Sequence, residues 1–374
     1  MAVEELAALS RYYGANTDYV IAGGGNTSFK DQDTLYIKGS GMALKDCAPE
    51  HFVRMDRRAL ARIWAKTYPA LPDERERGVL EDMMAARRKG EEKKRPSVET
   101  LLHDILPFNW VVHTHPALVN GLTCAQDGEQ AARDLFAGTA LWIPAANPGY
   151  ILSRAVKDAL DACTGNPPGV IFLQNHGVFA ASDSADHIKA CYQHIMRTIN
   201  TKAAAAAPSL EDYVSEWGFS PAVISALEKK EKMEKIGGCA AFARNREIAG
   251  LVRDRASFYP VSSAFTPDHI VYAGSEALFV ETSLDSPEKV ISAIQSRLSQ
   301  TPRPPKIIAV QGMGVFGVGA SKKACGLGLE LFIDAAKVAA YTKAFGGPRF
   351  MPQDQIDFIN NWEVERYRTR VSTV

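Results

Sequence analysis

Apolar positions along the chain follow two spacings, and the alternation between them predicts an α/β protein. Residues 1 to about 13 read as a helix, with Leu6, Leu9 and Tyr12 or Tyr13 on one face. Tyr19-Val20-Ile21-Ala22 reads as a short strand running into the turn Gly23-Gly24-Gly25-Asn26-Thr27-Ser28, and 34–38 as a second strand ending in Gly39-Ser40-Gly41. A helical pattern covers 59–65, and the charged stretch 75–95 reads as a helix followed by a solvated loop. A helix opens at Ser97 and ends by Pro107. The buried strand Trp110-Val111-Val112 then leads into His113-Thr114-His115-Pro116. Further helices are predicted from Ala117, over 151–162 and over 184–206. Further strands are predicted at 141–144, at 170–173 and, after Asn175-His176-Gly177, at 178–181.

The second half echoes the first. Residues 167–179 match 304–316 at an offset of 137 without a gap, sharing prolines, Gln, Gly, Val and Phe. Both copies enter a long helix that ends at Thr201-Lys202-Ala203 and Thr342-Lys343-Ala344, where the offset is 141. A fainter match sets 33–40 against 268–275. Together they predict a second copy shortened in its middle, where the first copy keeps its His pair. His176 aligns with Met313, so one half is active and the other degenerate. The expected division is 1–208 and 209–374.

Composition narrows the class. Lys+Arg and Asp+Glu are both 43, which argues against a nucleic-acid binder. No apolar run reaches the ~18–20 residues of a membrane span. The N-terminus has early acids and no basic leader, and the six scattered Cys form no C-x-x-C pair. These features predict a cytoplasmic protein with reduced thiols.

Three histidines carry candidate chemistry. His113 and His115 stand two residues apart on a strand, so both imidazoles face one way. Such a pair also fits an exposed polar edge, but His176 follows a second apolar strand and precedes Gly177. Three His without Cys fit a catalytic metal with open positions better than a closed structural zinc. Glu99 lies 14 residues before His113 at a predicted helix start, where spacing favours capping. His103 sits one turn beyond Glu99, where packing is the simpler role.

Two glycine-rich turns, 23–28 and 39–41, could converge backbone amides on an anion, with Asn26, Thr27, Ser28, Ser40 and Lys38 adding donors or charge. Ser97 and nearby amides offer a third donor set at a helix start. Gly312-Met313-Gly314-Val315-Phe316-Gly317 fits G-x-G-x-x-G literally. The repeat argues against a dinucleotide there, because the same turn in the first copy is Asn175-His176-Gly177.

In order, Gly25-Asn26-Thr27-Ser28, Lys38-Gly39-Ser40-Gly41, Ser97-Val98-Glu99, His113-Thr114-His115-Pro116 and Asn175-His176-Gly177 resemble the class II aldolase/adducin head family over residues 5–205. Pro148-Gly149-Tyr150 and the second half look like its rhamnulose-phosphate-aldolase-like branch, without room for the dehydrogenase of the fused members. The resemblance implies a three-layer α/β/α fold with a mostly antiparallel central sheet. It implies a divalent metal, usually Zn2+, on His113, His115 and His176, with Glu99 as the acid/base. Asn26, Thr27, Ser40, Gly41 and Ser97 would hold the substrate phosphate, although Val98 stands where several relatives have a second serine donor. Tyr150 is the candidate for the tyrosine that some members supply as proton donor. The implied enzyme is a metal-dependent aldehyde-lyase that cleaves a ketose, as its 1-phosphate, through a metal-stabilised enediolate in a homo-oligomer, usually a tetramer. The same scaffold also supports sugar-phosphate epimerases and dehydratases, and the non-catalytic adducin heads.

Overall fold

A computed structural model describes residues 2–229, 236, 238–301 and 303–363. Seven strands form the first sheet: β1 (Asn26–Lys30), β2 (Thr34–Lys38), β3 (Phe52–Asp56), β4 (Trp110–Thr114), β5 (Ala140–Ile143), β6 (Val170–Leu173) and β7 (Gly177–Ser182). Their order is β3-β2-β1-β4-β7-β6-β5, and every pairing is antiparallel except β5 with β6. One face is covered by α1 (Ala2–Gly14), with α2 (Arg57–Ile63), α3 (Pro72–Ala85) and α4 (Thr100–Ile105) on the other. Then α5 (Ala117–Thr123) and α6 (Gly128–Phe136) join the α1 face, α7 (Tyr150–Asp161) the α4 face and α8 (Ala185–Ala203) the α1 face. The result is the three-layer α/β/α arrangement. Along β4 the period of two sorts the side chains, Trp110 and Val112 toward α1 and α8 and Val111 toward α4 and α7. Tyr192 of α8, fully buried, donates from its hydroxyl toward the carbonyls of Val112 (3.1 Å) and Val178 (3.3 Å), pinning β4 and β7 under that helix.

After α9 (Ser220–Leu227) comes a four-stranded sheet of β8 (Cys239–Ala243), β9 (Leu278–Val280), β10 (Ile307–Val310) and β11 (Gly314–Gly319), in the order β8-β11-β10-β9. It repeats β4-β7-β6-β5 with the same pairing directions. Register extends the repeat to single residues: Thr114 pairs with Val178 and Ala243 with Val315, Ile143 with Leu173 and Val280 with Val310. The helices follow suit, with α10 (Arg246–Leu251) standing for α5, then α11 (Arg255–Phe258), α12 (Pro287–Gln300) for α7 and α13 (Lys322–Thr342) for α8, before α14 (Gln353–Asn361). Ser184 and Ser321 cap the two long helices in the same way.

Three expectations fail here. Residues 19–22 form a turn held by local bonds, Tyr19 N–H to the Asn16 carbonyl (3.0 Å) and Gly24 N–H to that of Ile21 (3.1 Å), and the strand starts instead at Asn26. The fainter repeat match does not hold, because 34–38 is a strand whereas His269–Ala273 is a turn of π-helix. Nor is the second copy shortened where the first has its His pair. The strand that carries it is present as β8, with Phe242 and Arg244 at the positions of His113 and His115. Among the described residues, β1 to β3 are the strands without a counterpart.

The two sheets meet through helices. α13 lies on α5, and one continuous core runs from Ala117 and Cys124 into Phe265, Leu331 and Val338. Among the described residues no helix is long and apolar enough to cross a membrane.

Candidate metal centre

The site forms at the end of β4, where β1 and the β6–β7 turn flank it. Antiparallel pairing sets Asn26 opposite His113. Because strand residues alternate, Asn26 and Ser28 face α4 and Thr27 must face α1. Thr27 is accordingly bonded to the Ser10 hydroxyl at 2.6 Å, on the far side of the sheet, and contributes nothing to the cavity. The bridge between Gly39 and Pro96, with Ser40 N–H on the Arg95 carbonyl (2.8 Å), lays the segment before α4 beside the loop after β2. That contact brings Ser40, Gly41, Ser97 and Glu99 to one wall.

His113 is fully buried and stacked on Phe179, with ring centroids 4.1 Å apart. Its Nδ1–H donates to the Val178 carbonyl at 3.0 Å, which leaves the Nε2 lone pair for the cavity. His115 has its Nδ1 2.6 Å from Asp268 Oδ2, and its Nε2 lies 2.9 Å from His113 Nε2. His176 stands on the tight turn between β6 and β7. There Asn175 adopts a left-handed backbone (φ 56°) and its amide donates to the carbonyls of Phe265 (3.1 Å) and Arg349 (2.8 Å) in the second half. Gly177 permits the closeness of this turn, since a Cβ there would lie 2.5 Å from the Thr114 carbonyl oxygen and 2.7 Å from the His115 ring. The three imidazoles offer ligand atoms all within 4.8 Å of one another.

Glu99 does not cap α4. It occupies the residue before the helix and makes no side-chain cap bond. Its carboxylate instead turns inward, where the tertiary contacts compete successfully with the helix end. Oε2 accepts from the Asn26 amide, whereas Oε1 is buried without a hydrogen-bond donor, 3.3 Å from His113 Nε2 and 3.6 Å from His176 Nε2. Burial pushes the His176 imidazole down to about 3, so its ring is neutral and its nitrogen available as a ligand. Two imidazole lone pairs directed at one another beside an orphaned carboxylate oxygen call for a shared proton or a cation. Imidazole nitrogens with one carboxylate form a donor set that suits a divalent metal. The residues present therefore fit such an ion, and His113, His115 and His176 could bind one.

Beside them a cavity of about 50 Å³ is lined by Asn26, Lys38, Ser40, Ser97, Glu99 and His176, among others. Lys38 is buried beneath it and donates to the carbonyls of Met42 (2.6 Å) and Gly23 (3.4 Å), tying the two glycine-rich loops together. Tyr150 is elsewhere. At the start of α7 its ring lies 5.9 Å from that of Trp64 and 5.2 Å from that of Tyr68, between α2, α3 and α7, because its loop is anchored by the Glu76 carboxylate. His103 packs behind the site, its Nδ1 2.7 Å from the Ser28 hydroxyl, and burial drives its pKa well below the usual range.

Asp268 and Pro267 reach the site from the second half, and no local pattern in the sequence announces them. At the equivalent place in the repeat, Phe242, Arg244 and Met313 replace the three histidines, and the Arg244 guanidinium donates to the carbonyls of Gly312 (3.1 Å) and Met313 (2.5 Å). The G-x-G-x-x-G run there leads into β11 and not into a helix, so it lacks the amide array of a dinucleotide site.

The family described as Class II Aldolase and Adducin N-terminal domain matches residues 4–201. The chain is also similar to the uncharacterized oxidoreductase YuxG of Bacillus subtilis (strain 168), 23% identical over 415 aligned residues that cover 98% of this chain and 58% of that protein. It thus spans little more than half of that relative's length. Among solved structures, it resembles the N-terminal class II aldolase domain of a conserved protein from Thermoplasma acidophilum (26% identity, TM-score 0.46, 54% of this chain and 93% of that one). It also resembles L-fuculose-1-phosphate aldolase from Thermus thermophilus (16% identity, TM-score 0.35, 52% and 92%). With more than half of its length matched by the family, this chain belongs to the class II aldolase and adducin family.

Proposed function

We propose that the protein is a metal-dependent aldolase that cleaves a ketose 1-phosphate by retro-aldol chemistry. The observation that carries this reading is the buried, donorless Glu99 Oε1 directed at the histidine cluster. His113, His115 and His176 would hold the ion, which we propose to be Zn2+ because three imidazole nitrogens favour it over the hard oxygen-loving cations. When bound, such an ion supplies Lewis-acid polarisation of a ketose carbonyl and stabilises the charge left as a carbon–carbon bond breaks.

The chain's own residues do the rest. Asn26 holds Glu99 Oε2, so Oε1 alone is presented to accept or return a proton at the substrate carbon. Ser40, Gly41, Ser97 and Asn26 would grip the phosphate over the buried Lys38 charge. Gly23, Gly25 and Gly41 of the glycine-rich loops line the same cavity. In this reading the chain divides at about residue 208, and the 209–374 unit is a repeat that has lost its own ligands.

Elemental analysis of wild type and His113→Ala, with both assayed against a panel of ketose 1-phosphates, tests the proposal. About one ion per chain, lost in the variant together with release of dihydroxyacetone phosphate, is the expected result. Glu99→Gln should keep the ion and lose about 100-fold or more in turnover. Metal without cleavage would favour an epimerase or dehydratase, and no metal after zinc is supplied would leave a binding module.

A further inference from the structure

We propose that Asp268, a residue of the second half, is a positioning residue that orients His115 for the metal. This inference rests on the metal-site reading above. The Asp268 carboxylate lies 2.6 Å from His115 Nδ1 and is itself buried. It accepts the Nδ1–H, which leaves Nε2, 2.9 Å from His113 Nε2, as the nitrogen on the side of the cluster. A carboxylate behind a ligating histidine fixes its tautomer and ring plane and raises its basicity.

The surroundings are shaped around this pair. Gly24 lies so close that a Cβ there would stand 2.6 Å from Asp268 Oδ2 and 3.2 Å from His115 Nδ1. Asp268 directly precedes the π-helical turn His269–Ala273, a wider coil than an α-helix and one that often marks a functional position. His269, next in the chain, is anchored to Asp334 of α13 at 3.0 Å, so the turn is held from beneath.

The repeat supplies an independent argument. Between β4 and β8 the offset of equivalent residues is 129, and between β5 and β9 it is 137. The second copy therefore carries eight more residues in the connection between these strands, and Asp268 lies within that connection. The half without histidines at its own turn thus has the longer connection, and a residue of that connection serves the other half's site.

The test is metal affinity. Zn2+ binding to the full chain is measured by competition with a chromophoric chelator, and the Co2+ absorption spectrum is recorded, for wild type, Asp268→Asn and Gly24→Ala. Asp268→Asn keeps the shape but not the charge, and should weaken Zn2+ by about 10- to 100-fold and alter the Co2+ spectrum. Gly24→Ala leaves the carboxylate in the chain but displaces it, and should weaken binding in the same direction. Wild-type affinity and an unchanged spectrum in both variants would overturn the role of Asp268 while leaving the metal site intact. A wild-type protein that binds neither ion would instead overturn the metal-site reading and this inference with it.

Discussion

His103 shows how much the environment of one side chain decides. It is fully buried between Ser28 and Phe179, and its pKa is depressed mainly by loss of solvent. The unfolded chain binds a proton at this ring below about pH 6.5, whereas the folded chain does not. Stability contributed by the neutral ring is thus complete above about pH 6.5. It falls as pH drops toward the depressed folded value, by about 1.4 kcal/mol per unit. Urea unfolding of metal-free protein between pH 7 and 5 should show this loss added to that of His176, whose pKa is likewise depressed, and His103→Asn should make the slope shallower without abolishing it. Equal slopes in the two proteins would remove His103 as a cause. At the same scale, the competition at Glu99 was settled by partners 73 residues away in sequence, as Asn26 drew the carboxylate off the helix end. Glu99 and the histidines were legible as residue types, whereas the direction in which Glu99 points was not.

At the level of elements, the site depends on two hairpin-like contacts, β1 with β4 and β6 with β7. β2 and β6 are plain in the sequence, β2 because Leu35 and Ile37 alternate with Thr34, Tyr36 and Lys38, and β6 because Val170–Leu173 is a continuous apolar run. β1 is not. Asn-Thr-Ser-Phe-Lys has little intrinsic preference for strand, and it is held extended by neighbours on both edges. The turn at 19–22 errs the other way, since Tyr19 and Val20 pack into the core beneath α1 and Ile21 against the core shared with the second half, without joining the sheet. The β6–β7 turn is the sharpest constraint. Gly177→Ala should push the turn off the Thr114 carbonyl and the His115 ring, at a cost of about 1–3 kcal/mol and with weaker metal binding. Thermal unfolding and chelator competition on the same preparation would check both effects; a variant with wild-type values in both would show that the turn has slack.

For the whole molecule, the question is what the second half contributes. Its core is continuous with that of the first half, and backbone bonds cross between them, Arg349 N–H to the Cys124 carbonyl at 2.7 Å and Asp127 N–H to that of Phe345 at 2.9 Å. Asn175 is the tie nearest the site. Asn175→Gly keeps the left-handed turn easy, as Gly312 does in the repeat, but strips the Phe265 and Arg349 carbonyls of a buried donor. About 1–3 kcal/mol should be lost in urea unfolding. An unchanged midpoint would mean that the rest of the interface carries the two halves alone.

The local terms were legible in the order of the amino acids. Apolar periodicity placed most helices and strands, the spacing of His113 and His115 put two imidazoles on one face, and the matched strands around Asn175 and Gly312 disclosed the repeat. These features are encoded within a few residues, or by direct likeness between segments, so they survive without coordinates. That Thr27 and Tyr150 turn away from the cavity, that Glu99 turns into it, and that Asp268 reaches the site from the far half followed from the packing of the folded chain. Each depends on which strands become neighbours and on which face of a strand they bury. Chain segments 150 residues apart leave no periodic mark on one another, and their contacts exist only once the sheets have formed.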